Sequence, residues 1–171
     1  LSTKKRSKEQ RQKRKKKESK LLTRKEKKAL GFFDIPRNSV QYSTMIPINQ
    51  VWSEYIAEIL ELDKPVPQSS SKGWDQFTLS LYKADFHGSM LQVIRSKCPS
   101  YVGKKGICVM DTRNTFKIVS PDNIVTTIPK KDCVFKMYVK DLKICVFGKH
   151  LCVRPAERST KKLKCHLHPD L

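Results

Sequence analysis

A series of short apolar segments, beginning after Gly88 and divided by turn-forming residues, constrains this fold more than any other feature. Runs of this length predict strands, and the Pro, Asp, Asn and Gly residues between them predict tight turns. Alternation is clearest in Cys133–Val139, where Phe135 and Met137 face one way and Lys136 the other. The predicted strands are Met90–Ile94, Gly106–Thr112, Thr115–Ser120, Ile124–Pro129, Cys133–Val139, Leu142–Phe147 and His150–Val153.

Strands of this number and spacing predict a mainly β fold, a small antiparallel barrel of the SH3-like or Sm-like kind or a sandwich. Closure into a barrel would remove the strand edges that promote aggregation. Helical spacing precedes the strands in Pro47–Leu62, with Pro47 in the first turn, and again in Trp74–Asp85. Pro155 opens a further, short basic helix.

These patterns divide the chain into four segments. We expect a basic arm at residues 1–28 and a helical extension at 29–85 that packs on the barrel and on protein partners. The β-barrel would occupy residues 86–154, and a basic helix and tail residues 155–171. The chain begins with Leu rather than Met, so we expect further residues before it.

Positive charge restricts the partners that this chain can bind. The net charge is +20, and residues 1–28 alone hold 15 Lys/Arg against 3 Glu. Such a chain requires a polyanion, for which nucleic acid is the first candidate. An interfacial membrane helix would need an apolar face that the arm lacks, and no apolar run approaches the roughly 20 residues of a spanning helix. The arm also fits a nuclear import signal.

The six cysteines favour free thiols over disulfides or a metal site. They fall on apolar strand positions or in the tail of a lysine-rich chain without a signal-peptide pattern, which indicates a reducing compartment. Cys165, His166 and His168 lie close together, but the chain has no C-x-x-C pair, so the zinc signal is weak.

Catalytic patterns are equally weak. His87 lies near Asp85, yet no segment presents a nucleophile beside a base. A metal-dependent nuclease would need several acidic residues on one face. The aspartates of the predicted barrel fall mostly at turns, namely Asp111, Asp122, Asp132 and Asp141.

The stretch Ser96–Ile107 (SKCPSYVGKKGI) carries the most functional information. Gly103 and Gly106 flank Lys104 and Lys105, and glycine lets a backbone turn tightly and approach a partner closely. The two lysines would place positive charge where a phosphate would lie. An ordinary hairpin with exposed lysines explains the same residues. A KH-type G-x-x-G loop is rejected because that loop joins two helices.

Four motifs together resemble one known family. KADFHG, SKCPSYVGKKGI, TFKI at Thr115–Ile118 and ERSTKKLK are similar, in order and spacing, to the Sm-like protein subunit of archaeal and eukaryotic ribonuclease P. Eukaryotes share this subunit, often called the Pop-four subunit, with RNase MRP. The family's recurrent residues fall on His87, Gly88, Ser96, Lys97, Pro99, Ser100, Tyr101, Val102, Gly103, Gly106, Phe116 and Ile118, with Arg158 in the basic C-terminal helix.

The resemblance implies a twisted barrel of about six strands with helical extensions. It also implies a role in removing the 5′ leader of precursor tRNA, with the RNA subunit carrying the chemistry. It further implies binding to ribonuclease P RNA and MRP RNA, and pairing with a zinc-ribbon-type protein subunit among the other proteins of these particles. The protein would act in the nucleus and nucleolus, and precursor tRNA would lie near it. Any Mg²⁺ would belong to the catalytic RNA, so no cofactor is expected.

Charge and turn position select the candidate RNA contacts. They are Lys97, Tyr101, Lys104, Lys105, Arg113, Lys130, Lys131, Arg154, Arg158, Lys161, Lys162 and Lys164, with Lys13, Arg14, Lys15, Lys16 and Lys17 in the arm. The apolar stripe of Pro47–Leu62 is typical of a core, and the same helix would also dock a protein subunit through Trp52, Tyr55, Ile56 and Ile59. We expect no catalytic residue and no metal ligand.

Two other functions fit parts of the pattern. A ribosomal or KOW-type barrel protein also combines a glycine-pinned turn with a hydrophobic strand, as VGKKGICV does, and would bind ribosomal RNA. A protein-only nuclease would cleave RNA with a metal ion held by the barrel's aspartates.

Overall fold

The computed structural model describes residues 22–160. Two groups of predicted RNA contacts lie outside the described residues. They are Lys13, Arg14, Lys15, Lys16 and Lys17 of the arm, and Lys161, Lys162 and Lys164 of the tail. The chain forms two compact units, one ending at Ile35 and the other beginning at Pro36.

In the part of the first unit that the structure describes, residues 22–35, there is one short helix, α1 (Arg24–Ala29). A reciprocal cap begins it, because Glu26 N–H donates to Thr23 Oγ1 at 3.3 Å and Thr23 N–H donates to Glu26 Oε2 at 2.6 Å. Lys27 and Lys28 follow in its last turn, where positive charge suits the helix dipole. Local hydrogen bonds and charge therefore account for this helix.

In the described part of the second unit, residues 36–160, six strands form one antiparallel sheet. They are β1 (Met90–Ser96), β2 (Lys105–Asp111), β3 (Thr115–Val119), β4 (Val125–Pro129), β5 (Cys133–Val139) and β6 (Leu142–Phe147). Their spatial order is β4-β3-β2-β1-β5-β6. The predicted mainly β, antiparallel class is confirmed.

The sheet is open rather than closed by hydrogen bonds. Among the described strands, no ladder joins β4 to β6, so these two are its edges. The β4 edge is partly covered, since Val125 N–H donates to Arg37 O at 2.9 Å. Register shifts bend β1 between Val93 and Arg95, and they bend β2 between Cys108 and Met110. The β4 edge is therefore partly protected by this cover, while the bends lie in the two central strands.

Two helices precede the sheet, α2 (Tyr42–Ile59) and α3 (Gly73–Lys83). The prediction that Pro47 lies in the first turn is wrong, because α2 begins five residues earlier and Pro47 lies inside it. Tyr42 N–H donates to Asn123 Oδ1 at 2.7 Å, so a turn distant in sequence satisfies a free donor at the helix start.

Aromatic rings join the helices to the sheet in one core. Phe116 lies edge-on to Phe86 at 5.9 Å and to Phe135 at 5.2 Å between ring centroids. From α2, Trp52 packs into this core and its Nε1–H donates to Asp85 O at 2.7 Å. The same helix closes over Gly88, where an added Cβ would lie 3.1 Å from Trp52 Cβ. The core therefore fixes α2 against the entrance to β1.

The predicted seventh strand, His150–Val153, is wrong. A 3-10 turn (Gly148–Leu151) follows β6 instead, and then the short helix α4 (Pro155–Thr160). An added Cβ on Gly148 would lie 2.0 Å from Lys130 O, so this turn packs directly on another backbone. Leu151 O accepts a hydrogen bond from Lys130 Nζ at 3.0 Å, so this carbonyl is satisfied by a side chain rather than by a neighbouring strand.

Candidate nucleic-acid interface

The outward face of the sheet carries a basic surface. Each of five described strands contributes one Lys or Arg, and Asp111, the one acidic residue in these strands, is buried. A surface of one sign raises the local concentration of a polyanion and speeds its association. The five basic residues are Arg95, Lys105, Lys117, Lys136 and Lys143.

Cross-strand pairing places three of these cations near one aromatic ring. Gln92 of β1 lies between Lys105 and Lys136 on its neighbours, and Tyr138 is paired with Lys143. Lys105 Nζ lies 4.4 Å from the centroid of the Tyr138 ring, and Tyr138 O–H donates to Gln92 Oε1 at 2.5 Å. We call Lys105, Lys136, Lys143 and Tyr138 the outer platform. Its cations can contact phosphates while its ring lies among them.

The sequence identified only Lys105 within the outer platform. The alternation places Lys136 on the face opposite the apolar residues of its strand, but charge and turn position do not select it as an RNA contact. Tyr138 and Lys143 were missed. The signal that could have found them is the period of two itself, since Tyr138 and Lys143 alternate with apolar residues along their strands.

The turn before β2 partly matches its prediction. Gly103 has a φ of +84°, its N–H donates to Val93 O at 2.9 Å, and Lys104 and Lys105 are exposed beside it. Gly106 does not belong to the turn. It is buried in β2, where an added Cβ would lie 2.3 Å from Val119 O. Its absent side chain therefore serves close strand packing.

Other predicted contacts lie around the sheet margin. Tyr101 is half-buried against the core, while Lys97, Arg113 and Lys131 are exposed. Arg154 is also exposed, but Glu157 lies 3.6 Å away on the same side of α4 and offsets part of its charge.

Two predicted RNA contacts, Lys130 and Arg158, are corrected by the structure. Both side chains are fully buried, with 0% exposure, and both bind the carboxylate of Asp111. Lys130 Nζ lies 2.5 Å from Asp111 Oδ1, and Arg158 Nη2 lies 3.0 Å from Asp111 Oδ2. A cation enclosed in this way cannot reach a phosphate without unfolding its surroundings.

The same cluster joins distant parts of the fold. Lys130 also donates to Thr112 O at 2.6 Å, and Arg158 donates to Ala84 O at 2.9 Å. Burial lowers the pKa of Lys130, and the Asp111 carboxylate opposes that effect. We call Asp111, Lys130 and Arg158 the buried ionic cluster. It anchors α4, and with it the start of the basic tail, to the end of β2.

The apolar stripe of α2 is divided between core and surface. Trp52 and Ile56 are buried at 4% and 0% exposure, so their assignment as partner contacts is corrected. Ile59 is half-buried, and Tyr55 is exposed as the prediction requires. Further apolar side chains are exposed on this helix, namely Ile46, Ile48 and Val51.

His87 is held at both ring nitrogens. Nδ1 lies 2.6 Å from Asp85 Oδ1, and Nε2 accepts from the Asp111 N–H at 3.0 Å. The Asp85 hydrogen bond raises the pKa of His87, and burial opposes this. With both nitrogens bonded, the ring positions the strand entry and has no free nitrogen to act as a base.

Groups suited to metal binding are not assembled between residues 22 and 160. No three His, Cys, Asp or Glu side chains in this range could hold a metal ion together. Cys98, Cys108, Cys133, Cys145 and Cys152 are free thiols. The tail residues Cys165, His166 and His168 lie outside the described residues. No helix in the same range is long and apolar enough to span a membrane.

These features define the class as a basic, antiparallel β protein with helices packed on its sheet. Residues 79–161 match the family model described as Ribonuclease P/MRP, subunit p29. "Ribonuclease P protein subunit p29" of Rattus norvegicus is 37% identical over 153 residues, covering 90% of this chain and 67% of the rat protein. The chain therefore belongs to the ribonuclease P/MRP subunit p29 family.

Two further comparisons extend this result. "Ribonuclease MRP protein subunit POP4" of Arabidopsis thaliana is 28% identical over 127 residues, covering 74% of this chain and 40% of that protein. The solved structure of Mth11, titled a homologue of human RNase P protein Rpp29, is 30% identical and covers 44% of this chain and 97% of that chain. Its TM-score of 0.36 is too low to support the fold described above.

Proposed function

We propose that this chain is a protein subunit of ribonuclease P and RNase MRP that binds their RNA without catalysing cleavage. Family membership supports its assignment to the ribonuclease P and MRP particles. The outer platform is the observation that supports contact with RNA. In this role the protein neutralises phosphates of the folded RNA and releases counterions, while the RNA subunit removes the 5′ leader of precursor tRNA. Any Mg²⁺ is expected on the RNA.

The relatives' names do not favour the alternative of a ribosomal or KOW-type protein. We infer that the chain acts in the nucleus and nucleolus, where precursor tRNA would lie nearby. We also propose that the bent six-stranded sheet is of the Sm-like barrel kind. It differs from a closed barrel in that its edge strands, β4 and β6, are not hydrogen-bonded to each other.

The RNA proposal is tested by recovering the tagged chain from cell extract at moderate salt and sequencing the bound RNA. Enrichment of ribonuclease P or MRP RNA, with leader cleavage that is lost on RNA digestion, would support it. The test variant is Lys105→Gln/Lys136→Gln/Lys143→Gln. The matched control, Lys64→Gln/Lys72→Gln/Lys83→Gln, removes the same charge from exposed positions outside the sheet. Equal RNA recovery by both variants would reject the outer platform as the interface.

A zinc-ribbon-type protein subunit is the proposed partner of α2. Ile48, Val51 and Tyr55 recur at helical spacing and are 45%, 67% and 38% exposed. An exposed apolar stripe rimmed by Glu54 and Glu58 is typical of a protein interface.

Val51→Ser tests this partner, since it removes an exposed side chain without opening the core. We expect co-purification of the zinc-ribbon subunit to fall at least fivefold while the free energy of unfolding changes by less than about 0.5 kcal/mol. The matched control is Val66→Ser in the loop between α2 and α3. Undiminished co-purification with Val51→Ser would exclude this face.

A further inference from the structure

We propose that a cleft at one end of the sheet binds an unpaired nucleotide of the RNA, with its base on an apolar floor and its phosphates on surrounding cations. The cleft has a volume of about 420 Å³ and opens to solvent beside β1, β5 and β6. Its basic lining residues are Arg95, Lys97, Lys131 and Lys149. The inference rests on the proposed RNA-binding function and adds the kind of RNA element that this site takes.

The floor is built by strand register. Arg95 of β1 is paired with Val134 of β5, which is paired in turn with Phe147 of β6. Val134 is only 8% exposed, while Phe147 is half-buried and meets the His150 ring edge-on at 6.4 Å between centroids. An apolar side chain and an aromatic side chain therefore lie side by side. A nucleobase can stack on such a surface whatever its sequence.

The walls of the cleft are formed by loop residues, and a backbone hydrogen bond links two of these loops. Lys97 N–H donates to Asp132 O at 3.1 Å, which links the end of β1 to the loop before β5. Lys97 Nζ lies 3.3 Å from Asp132 Oδ1, and that side chain is 83% exposed. Lys149 extends from the 3-10 turn that follows β6. Cations thus surround the floor on separate elements.

Charge identifies the occupant as an anion. Four cations and one carboxylate, Asp132, line the cleft, so the lining has a net charge of +3. The basic arm at residues 1–28 would be repelled by this lining, since it holds 15 Lys/Arg against 3 Glu. An apolar floor under a ring of cations matches a nucleotide, in which a flat base is joined to a phosphate.

Shape distinguishes an unpaired nucleotide from a duplex. The volume falls in the range of roughly 300–1,000 Å³ that is common for small-molecule sites. A paired base presents only its edge to a groove, whereas an unpaired base can enter and stack. We therefore expect a bulge, a loop or a single-stranded end of the RNA to occupy this cleft.

The test measures binding of the full chain to short oligouridylate and to a duplex RNA of equal length, at one salt concentration. We expect Phe147→Leu, which keeps an apolar side chain but removes the ring, to weaken oligouridylate binding at least fivefold and to leave duplex binding unchanged. Phe147→Tyr should restore single-strand binding. Lys131→Gln/Lys149→Gln should weaken oligouridylate binding more than the matched Lys64→Gln/Lys72→Gln control does.

Ultraviolet cross-linking of the full chain to ribonuclease P RNA gives a second measurement. A cross-linked peptide containing Phe147, joined to an unpaired nucleotide, is the expected result. Equal oligouridylate binding by Phe147→Leu and the wild type would overturn the inference, as would displacement of oligouridylate by a poly-glutamate peptide at the same concentration. If the chain binds ribonuclease P RNA but shows either result, only this inference fails. If it binds no RNA, the proposed function fails as well.

Discussion

Asp111 affects both the stability of the fold and the number of cations that can contact RNA. Its carboxylate binds two cations that would otherwise be buried without a counter-charge. Arg158 Nε and Nη1 are buried and have no hydrogen-bond partner among residues 22–160, so within this range Arg158 depends on the bonds that its Nη2 makes to Asp111 and Ala84. The Arg158 guanidinium also lies 4.4 Å from the Phe86 ring centroid, which places charge directly on the aromatic core.

Asp111→Asn is therefore expected to destabilise the fold by about 3–5 kcal/mol, since it leaves two buried cations unpaired. Urea denaturation of the full chain measures this change. Asp141→Asn, in the exposed turn before β6, is the matched control and should change the free energy of unfolding by less than about 0.5 kcal/mol. Similar values for the two variants would show that the buried ionic cluster contributes little to stability.

Asp85 and His87 form a smaller, pH-dependent contact. The His87 hydrogen bond lowers the pKa of Asp85, and the Asp85 hydrogen bond raises the pKa of His87. A lowered carboxyl pKa gives stability that is present above its unfolded value near 3.8 and is lost as pH falls. A raised histidine pKa gives stability that is complete below 6.5 and is lost as pH rises through the folded value.

Asp85→Asn should accordingly cost most stability between about pH 4 and pH 6.5, and less at about pH 8.5. Both side chains are half-exposed, and a protonated ring gives up the bond from Asp111 N–H, so the difference should stay below about 1 kcal/mol. Thermal unfolding of the wild type and the variant across this pH range measures it. A difference that grows above pH 7 would contradict the assignment.

At the scale of elements, glycines at the start of β2 have two distinct roles. Gly103 has a positive φ, and no atom of residues 22–160 lies within 4 Å of an added Cβ, so its requirement is conformational. Gly106 faces the backbone of β3 at Val119, so its requirement is steric. The sequence motif presents them as an equivalent pair, and only the strand pairing distinguishes them.

Gly103→Ala should cost about 1–2 kcal/mol, the penalty for an L-residue in the left-handed region. Gly106→Ala should cost about 3 kcal/mol or more, because its Cβ would lie 2.3 Å from Val119 O and separate β2 from β3. Guanidinium unfolding of both variants makes the comparison. If Gly103→Ala proved the more damaging, the close packing of β2 on β3 would be refuted.

For the whole molecule, charge distribution matters more than total charge. Two of the 36 Lys/Arg residues are enclosed with Asp111 and cannot contribute to a phosphate interface. The outer platform, in contrast, presents its cations on neighbouring strands with no acidic residue between them in the sheet. RNA affinity should therefore depend on a localised part of the charge.

Salt dependence tests this expectation. Removing the three platform lysines together should reduce the slope of log K against log[salt] by about 3, one for each lost phosphate contact. The Lys64→Gln/Lys72→Gln/Lys83→Gln control has the same net charge and should leave the slope nearly unchanged. Filter binding to ribonuclease P RNA over a range of salt concentrations gives both values. Equal slopes for the two variants would indicate diffuse electrostatic attraction.

The sequence by itself determined the features that depend on neighbouring residues. Strand positions follow from a period of two, so six of the seven predicted strands are confirmed with small changes at their ends. The two helices before the sheet follow from helical spacing. The order of the sequence motifs also indicates the family.

Only the tertiary structure decided the outcomes that depend on distant residues. Lys130 and Arg158 resemble every other cation in the sequence, but Asp111, 19 and 47 residues away, folds beside them and makes their burial possible. Asn123, 81 residues from Tyr42 in the sequence, accepts the hydrogen bond of the N–H at the start of α2. The platform and the cleft likewise arise where separate strands meet. The local sequence pattern specifies on which face of the sheet a side chain lies. The charges around that side chain depend on residues distant in sequence that the fold places beside it.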